Sequence, residues 1–146
     1  SDVYKRQDCV QVDLARVCRE QVALCGELFE GRGLHAGVRL PERFTVLMNE
    51  TLAEVLVSNL VRNAYIHSAC GAFIDVYTEG TTLVVENDGE RRLDGDRIFE
   101  RFYQGSKREG STGLGLALVR AVCNCYGLRA EYDFRDGRHR FRIVWP

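Results

Sequence analysis

Gly110-Ser111-Thr112-Gly113-Leu114-Gly115-Leu116 runs straight into the apolar stretch Ala117 to Tyr126, a glycine turn that feeds the first turn of a buried helix. Glycines let backbone amides approach an anion with no Cβ in the way. The unpaired N–H groups at a helix start, with the positive end of its dipole, favour negative charge. The turn is therefore a phosphate-binding candidate. Glycine-rich helix starts are also common where nothing binds, so this run takes its meaning from a second one. Upstream, Asn59-Leu60-Val61-Arg62-Asn63-Ala64 places two amides on one face of another apolar helix. Asn59, Asn63 and His67 fall four apart, a polar stripe along a helix that also carries Leu52, Val55, Leu56, Leu60, Val61 and Ala64. Burying an unpaired amide costs about 1–3 kcal/mol, so the stripe needs partners, either neighbouring loops or a ligand.

Composition limits what such a site can serve. At 146 residues, 45% hydrophobic and 28% charged, the chain can bury one core and reads as a single globular domain. A net charge of -1 and a pI near 6.3 exclude a nucleic-acid footprint, because no basic excess is available to displace counterions from phosphates. Arginine dominates the basic residues: only Lys5 and Lys107 are lysines, a bias with no explanation at the level of sequence. No stretch is apolar enough to span a bilayer, so no direct membrane contact is expected of this domain. None of the six cysteines forms a C-x-x-C pair. Cys18, Cys25, Cys70, Cys123 and Cys125 lie in or beside apolar helical segments and read as reduced, buried, small hydrophobes in a cytosolic compartment. Residues 1–8 are polar and aperiodic, expected to be disordered or a cloning remnant, with residues 9–146 as the domain.

Along the chain, Val10 to Val12 reads as a short strand. Asp13 caps a helix whose apolar side is Leu14, Val17, Cys18, Leu24, Cys25, Leu28 and Phe29, ending at Gly31 and Gly33. Val38 and Leu40 start a strand that Pro41 interrupts; Phe44, Val46 and Met48 alternate as another. A helix follows from about Glu50 to His67, capped by Asn49 or Thr51, since Thr51-Leu52-Ala53-Glu54 fits a capping box. Ala72 to Thr78 and Thr81 to Asn87 form a hairpin through Glu79-Gly80. From Asp88 to Thr112 the chain is irregular, apart from a short amphipathic piece at Ile98 to Tyr103. Gly127 ends the last helix as a left-handed cap, and Arg129 to Phe134 and His139 to Trp145 close a hairpin across Asp136-Gly137. This order points to one mixed sheet with its helices on a single face, and the long loop before the last helix reads as a binding loop or lid. His35 and His139 read as surface or hairpin residues. Ile98, Phe99, Phe102 and Tyr103 would make one apolar side of a short helix in any protein.

Together these runs resemble a known family. Asn59-Leu60-Val61-Arg62-Asn63-Ala64 is similar to the N box of sensor histidine kinases, Glu86-Asn87-Asp88-Gly89 to the first glycine box, Ile98-Phe99-Glu100-Arg101-Phe102-Tyr103 to the F box, and Gly113-Leu114-Gly115-Leu116 to the second glycine box. The four stand in the family's order, and the resemblance covers nearly the whole chain from about Val10. It implies the ATP-binding catalytic domain of a two-component kinase, in the superfamily that also holds gyrase, MutL and a chaperone ATPase. The implied fold is α+β, a two-layer sandwich with a mixed, mostly antiparallel sheet, three main helices on one face and a lid loop.

The resemblance also implies roles. Asn63 would ligate the Mg²⁺ that bridges the ATP phosphates, with Asn59 close by; Asn59, Asn63 and Arg101 would form the catalytic set. In hydrolytic relatives position 59 resembles a glutamate that activates water, and an amide there suits phosphoryl transfer to a protein histidine instead. His67 would lie against adenine, Asn87 would read its amino group and Gly89 would permit close approach to the base. Amides of Thr112, Gly113, Leu114, Gly115 and Leu116 would hold the phosphates, with Lys107, Arg108 and Arg101 offsetting their charge. The sequence departs from the family pattern at Asn87 (usually aspartate), Arg91 (glycine), Ile66 (often lysine), Gln104 (often arginine) and Ser111 (glycine in some members). The implied partners are a dimerisation hairpin carrying the acceptor histidine and, downstream, a response regulator; the implied location is the cytoplasmic part of a membrane-anchored kinase. Two alternatives stay open: a nucleotide- or partner-binding module without turnover, suggested by Asn87, Ile66 and Arg91, and a serine kinase acting on anti-sigma antagonists, which shares the N box. The Phe99-Glu100-Arg101-Phe102-Tyr103 run argues against the latter.

Overall fold

The computed structural model describes residues 9–100 and 114–146. Strand β1 (Cys9–Asp13) leads into helices α1 (Leu14–Leu24) and α2 (Gly26–Gly31), then β2 (His35–Arg39), β3 (Thr45–Asn49) and the long helix α3 (Glu50–His67). The hairpin β4 (Phe73–Glu79) and β5 (Thr82–Asp88) follows, then α4 (Gly115–Tyr126) and the hairpin β6 (Arg129–Arg135) and β7 (Arg138–Val144). The fold is thus α+β, mixed and mostly antiparallel: β2 pairs parallel with β4, and every other pairing is antiparallel.

The strands divide into two sheets, which corrects the expectation of one. Five make the order β2-β4-β5-β7-β6, while β1 and β3 pair only with each other, Val12 opposite Val46 and Val10 opposite Met48. The cause is local. The Asp13 carboxylate accepts from Ala15 N at 3.1 Å and from Phe44 N at 3.0 Å, and Leu14 N donates to Phe44 O at 2.8 Å. The helix cap therefore also clamps the strand before α1 against the start of β3, and the ribbon turns Val12, Val46 and Met48 into the core.

Helix α3 is the spine. Asn49 is its cap, accepting from Leu52 N at 3.0 Å, so Thr51 lies inside the first turn and the capping-box alternative falls away. Ala53, Leu56, Val57, Leu60, Val61 and Ala64 are its buried stripe. Its far end is closed by a residue that the periodicity does not reveal: the Arg32 guanidinium donates to the carbonyls of Tyr65 and Ser68 and stacks over the Tyr65 ring at 4.8 Å. A cation at a helix C-terminus meets both the orphan carbonyls and the negative end of the dipole. Helix α4 runs back along α3: Gly115 lies at Asn59, and near its other end the Tyr126 hydroxyl accepts from Asn49 N at 2.9 Å.

The five-stranded sheet has two unlike faces. Ile74, Val76, Leu83, Val85, Phe141 and Ile143 are buried with the helices. The other face is a lattice of charges in which Arg138 pairs with Asp75 (2.6 Å), Glu86 (2.8 Å) and Asp88 (2.6 Å), while Arg140 and Arg142 reach Asp133 at 3.5 and 3.4 Å. Gly37 makes room for this lattice, since a Cβ there would lie 2.5 Å from the Asp75 carboxylate. A planar fork satisfies several carboxylates at once where an ammonium cannot, which accounts for the arginine choice along β7. Burial pushes Glu86 up, but the Tyr77 hydroxyl and Arg138 outweigh it and hold its carboxyl below the usual range.

Three sequence expectations need correction. The first helix is two helices, broken at Cys25-Gly26, so Leu24 and Leu28 are exposed (75% and 53%) while Phe29 turns inward to stack on Tyr65 at 5.8 Å. Of the cysteines, which are all free, Cys18 and Cys123 are buried but Cys70 and Cys125 are exposed. Burial pushes the Cys18 thiol up to about 12 and that of Cys123 to about 11, so both act as small hydrophobes. Between Ile98 and Glu100 the chain forms turns rather than a helix, with Ile98 N bonded to Asp94 O at 2.9 Å; Ile98 is buried and Phe99 meets Phe141 edge-on at 6.4 Å. Among the described residues no helix is long and apolar enough to cross a membrane. The expectation for residues 1–8, and the second half of the F-box helix, fall outside the described residues.

The Asp13 clamp gives a pH test. The Phe44 N–H leads the causes that hold its carboxyl below the usual aspartate value, working against a desolvation that raises it. A depressed carboxylate stabilises above the unfolded pKa, and that contribution is lost as pH falls through the folded one. Asp13→Ala should cost about 1 kcal/mol at neutral pH, as loss of an N-cap does, and urea titrations should show the difference from wild type shrinking as pH falls through the lowered Asp13 value.

Candidate functional site

Asn59 of the amide stripe and Gly115, at the described end of the glycine run, come together where α3 meets the start of α4. Asn59 Nδ2 donates to Val55 O, one turn back on its own helix, at 2.7 Å. That bond directs Oδ1 outward to α4, where a Cβ built on Gly115 would lie 3.2 Å from it. A Cβ there would be tight, and the amide would have to give by a few tenths of an ångström to admit it. Among the described residues no side-chain cap bond closes the start of α4, and no acidic residue stands in its first turn. Asn63 and His67 continue the half-buried face of α3 one and two turns on, and Ile66, where a lysine is frequent in the family, is half-buried beside them. Leu114 and Leu116 are half-buried at the helix start, Leu116 against the core.

A second cluster forms at the end of the sheet. Asn87 is 1% exposed at the end of β5, opposite Ile74 on one side and His139 on the other. Its Nδ2 donates to the Asp88 carbonyl at 3.3 Å. The Asp88 carboxylate is committed elsewhere, accepting from Phe73 N at 2.8 Å and from Arg138 Nη1 at 2.6 Å. The carboxylate of this segment therefore belongs to the charged face of the sheet, and the side chain turned to the inner face is the amide. Gly89 then leaves the strand, its N donating to Gly137 O at 2.9 Å, so close to His139 that a Cβ would lie 2.1 Å from Nε2.

His139 is thus a core residue, which corrects its reading as a surface or hairpin histidine. The signal was present in β7: on a one-sided sheet, Arg138-His139-Arg140-Phe141-Arg142-Ile143 sends alternate residues inward, and 139 shares its parity with 141 and 143. Burial alone pushes the imidazole below its ordinary value, so it is neutral at pH 7. His35 does lie on the surface, stacked on the exposed Phe73 at 4.7 Å. Arg91 is exposed. Arg101, Gln104, Lys107, Arg108, Ser111, Thr112 and Gly113 lie outside the described residues.

Comparison with known proteins accords with this geometry. The family described as histidine kinase-, DNA gyrase B-, and HSP90-like ATPase matches residues 48–146, more than half of the chain. The heme sensor protein HssS of Staphylococcus saprophyticus is 38% identical over 80 residues, covering 51% of this chain and 17% of that protein. The sensor-like histidine kinase SenX3 of Mycobacterium tuberculosis is 27% identical over 121 residues, covering 76% of this chain and 30% of that protein. The chain therefore spans less than a third of the length of these relatives. Among solved structures, the catalytic domain of histidine kinase ThkA superposes with a TM-score of 0.81 at 21% identity, covering 94% of this chain and 95% of that one. ThkA has also been solved in complex with the response regulator protein TrrA. The chain belongs to the histidine kinase-, DNA gyrase B-, and HSP90-like ATPase family, and within it is an ATP-binding catalytic domain of the sensor histidine kinase type.

The tight seat of Gly89 is testable. Gly89→Ala must displace the His139 ring, and overpacking of this kind costs about 1–3 kcal/mol. Chemical denaturation should report that loss. Gly26→Ala, whose added carbon meets nothing within 4 Å, should leave the midpoint unchanged or higher.

Proposed function

We propose that this chain binds ATP with Mg²⁺ across the meeting of α3 and α4 and delivers the γ-phosphoryl group to a histidine on a dimerisation hairpin elsewhere in the full-length kinase. The observation that carries the reading is the approach of Gly115 to the tethered Asn59 amide, which sets a side-chain oxygen beside the first turn of α4. The triphosphate lies along amides of residues 112–116, with Lys107, Arg108 and Arg101 neutralising its charge. The base lies toward Asn87 and Gly89, with His67 against its ring, and the side-chain oxygen of Asn87 accepts from the adenine amine.

The donor set fits Mg²⁺ carried in with the nucleotide. Among the described residues no group of three or more His, Cys, Asp or Glu could hold a metal, so the chain supplies amide oxygen from Asn63 and the phosphates supply most of the rest. Bound there, the cation would draw charge from the phosphate oxygens. The chain's own residues bind, orient and screen. Asn59 offers no base. The lone pair of a neutral imidazole nitrogen on the acceptor forms the N–P bond as the bond to the β–γ bridging oxygen breaks and that oxygen leaves with ADP. The proton on the other ring nitrogen passes to the acceptor's own surroundings or to water. The same reading places this domain on the cytoplasmic side of a membrane-anchored kinase, upstream of a response regulator.

Calorimetry separates the metal role from general binding. Asn63→Ala should weaken Mg·ATP at least about tenfold, roughly 1.4 kcal/mol, while metal-free ATP binds wild type and variant alike. Equal Mg·ATP affinity in both proteins removes Asn63 from the metal site.

A further inference from the structure

We infer that Tyr132 and His139 form a positioning pair that fixes the backbone of the Gly89–Leu93 turn, and so sets how tightly the base end of the nucleotide is held. The inference rests on the proposed function in placing the base near Asn87 and Gly89; the pair itself stands on the geometry. Leu93 N donates to the Tyr132 hydroxyl at 2.9 Å, and that hydroxyl lies 2.8 Å from His139 Nδ1. The phenol is assigned as donor to Nδ1 while its oxygen accepts from Leu93, the tautomer that places the imidazole hydrogen on Nε2, the edge pressed against Gly89. One end of the turn is therefore held by contact with the ring and the other by a hydrogen bond to its partner.

The pair is built rather than incidental. Asn87, His139 and Phe134 lie side by side across β5, β7 and β6, and the Phe134 and Tyr132 rings pack on the imidazole at 5.0 and 5.9 Å. Tyr132 also packs on Phe141 at 5.0 Å. The groups facing His139 are Asn87 from β5, Tyr132 and Phe134 from β6, and Gly89 from the loop, none of them charged at neutral pH. Its own-strand neighbours Arg138 and Arg140 belong to the opposite face, where Asp75, Glu86, Asp88 and Asp133 engage them. Arg92 lies over the Tyr132 ring, 5.8 Å from its centre, and among the described residues burial is the cause that lowers the imidazole.

Protonation would turn Nδ1 from acceptor to donor. The phenol would lose Nδ1 as an acceptor, and the Leu93 anchor would share the phenol oxygen with the imidazolium. The burial that keeps His139 neutral at pH 7 means that this happens only below the ordinary histidine value. Base-end affinity should then be constant above about pH 6.5 and fall as pH drops through the lowered His139 value.

The test uses wild type, Tyr132→Phe and His139→Gln, with Leu93 amide shifts read by NMR and binding of Mg·ATP and of inorganic tripolyphosphate read by calorimetry across pH 5 to 8, a range set by ordinary histidine titration. In nucleotide-free wild type the Leu93 amide should titrate together with the His139 ring, and in Tyr132→Phe it should not. Tyr132→Phe should weaken Mg·ATP about three- to tenfold at pH 7.5 yet bind tripolyphosphate like wild type, because only the base end is loosened. His139→Gln, which has no proton to gain, should lack the acid loss of ATP affinity that wild type shows beyond titration of the phosphates themselves. Equal ATP affinity and equal acid response in wild type and Tyr132→Phe overturn the proposal, as does a parallel loss of ATP and tripolyphosphate, which would make the pair merely structural. A wild-type chain that binds tripolyphosphate but no adenosine compound overturns the base-end reading instead, whatever the Leu93 amide does.

Discussion

The arrangement depends on how closely two helices approach where one has no Cβ. At Gly115 the first turn of α4 lies against the Asn59 amide, so closely that a Cβ there would sit 3.2 Å from its oxygen. The contact is fixed at both ends of the helix pair. Asn59 is tethered to its own helix through Val55 O, and the Asn49 N–H that opens α3 is held by the Tyr126 hydroxyl near the end of α4. Apolar packing supplies the drive, with Leu56, Leu60, Val119, Val122 and Cys123 all buried, but packing alone does not choose the register. The small residue and the two polar ties do, and in doing so they bring amide oxygens beside helix-start N–H groups. Those two kinds of group are what an anion with its cation requires.

The sheet contributes by presenting unlike faces. Its inner face packs on the helices and carries Asn87 and His139 at one end; its outer face is held by arginines rather than by a second layer. Arg138 ties carboxylates of β4 and β5 together, and in binding Asp88 it commits the one acid beside the site to structure. Arg138 and these carboxylates are partly buried, and three carboxylates on one fork tie the register of three neighbouring strands. The inner-face position is left to an amide, and Gly89 is seated against a neutral ring.

Much of this was legible in the sequence because local rules and global fold agree. Asn49, Asp13, Gly127 and the Asp136-Gly137 turn each announce an element boundary; the last has positive φ at both residues, 54° and 75°, as a two-residue hairpin turn demands. The four-residue spacing of Asn59, Asn63 and His67 also placed the stripe correctly. Other features depend on distance through space and left no mark in the periodicity. The separation of β1 and β3 from the main sheet follows from one carboxylate bridging Ala15 and Phe44. The break at Cys25-Gly26 exposes Leu24 and Leu28 although both fit the apolar side of one continuous helix. Arg32 closes α3 from 33 and 36 residues away. His139 could have been found, because the alternation along β7 encodes its direction; what the alternation omits is that Gly89 and Tyr132 meet it there.

The most direct test of the central claim is an amide NMR map of the isotopically labelled chain, with and without Mg²⁺ and a nonhydrolysable ATP analogue. The account predicts that the largest shifts fall together on Asn59 and Asn63 of α3 and on Gly115 and Leu116 of α4, with a second group at Asn87 and Gly89. A saturable response that leaves α3 and the start of α4 unmoved would contradict it.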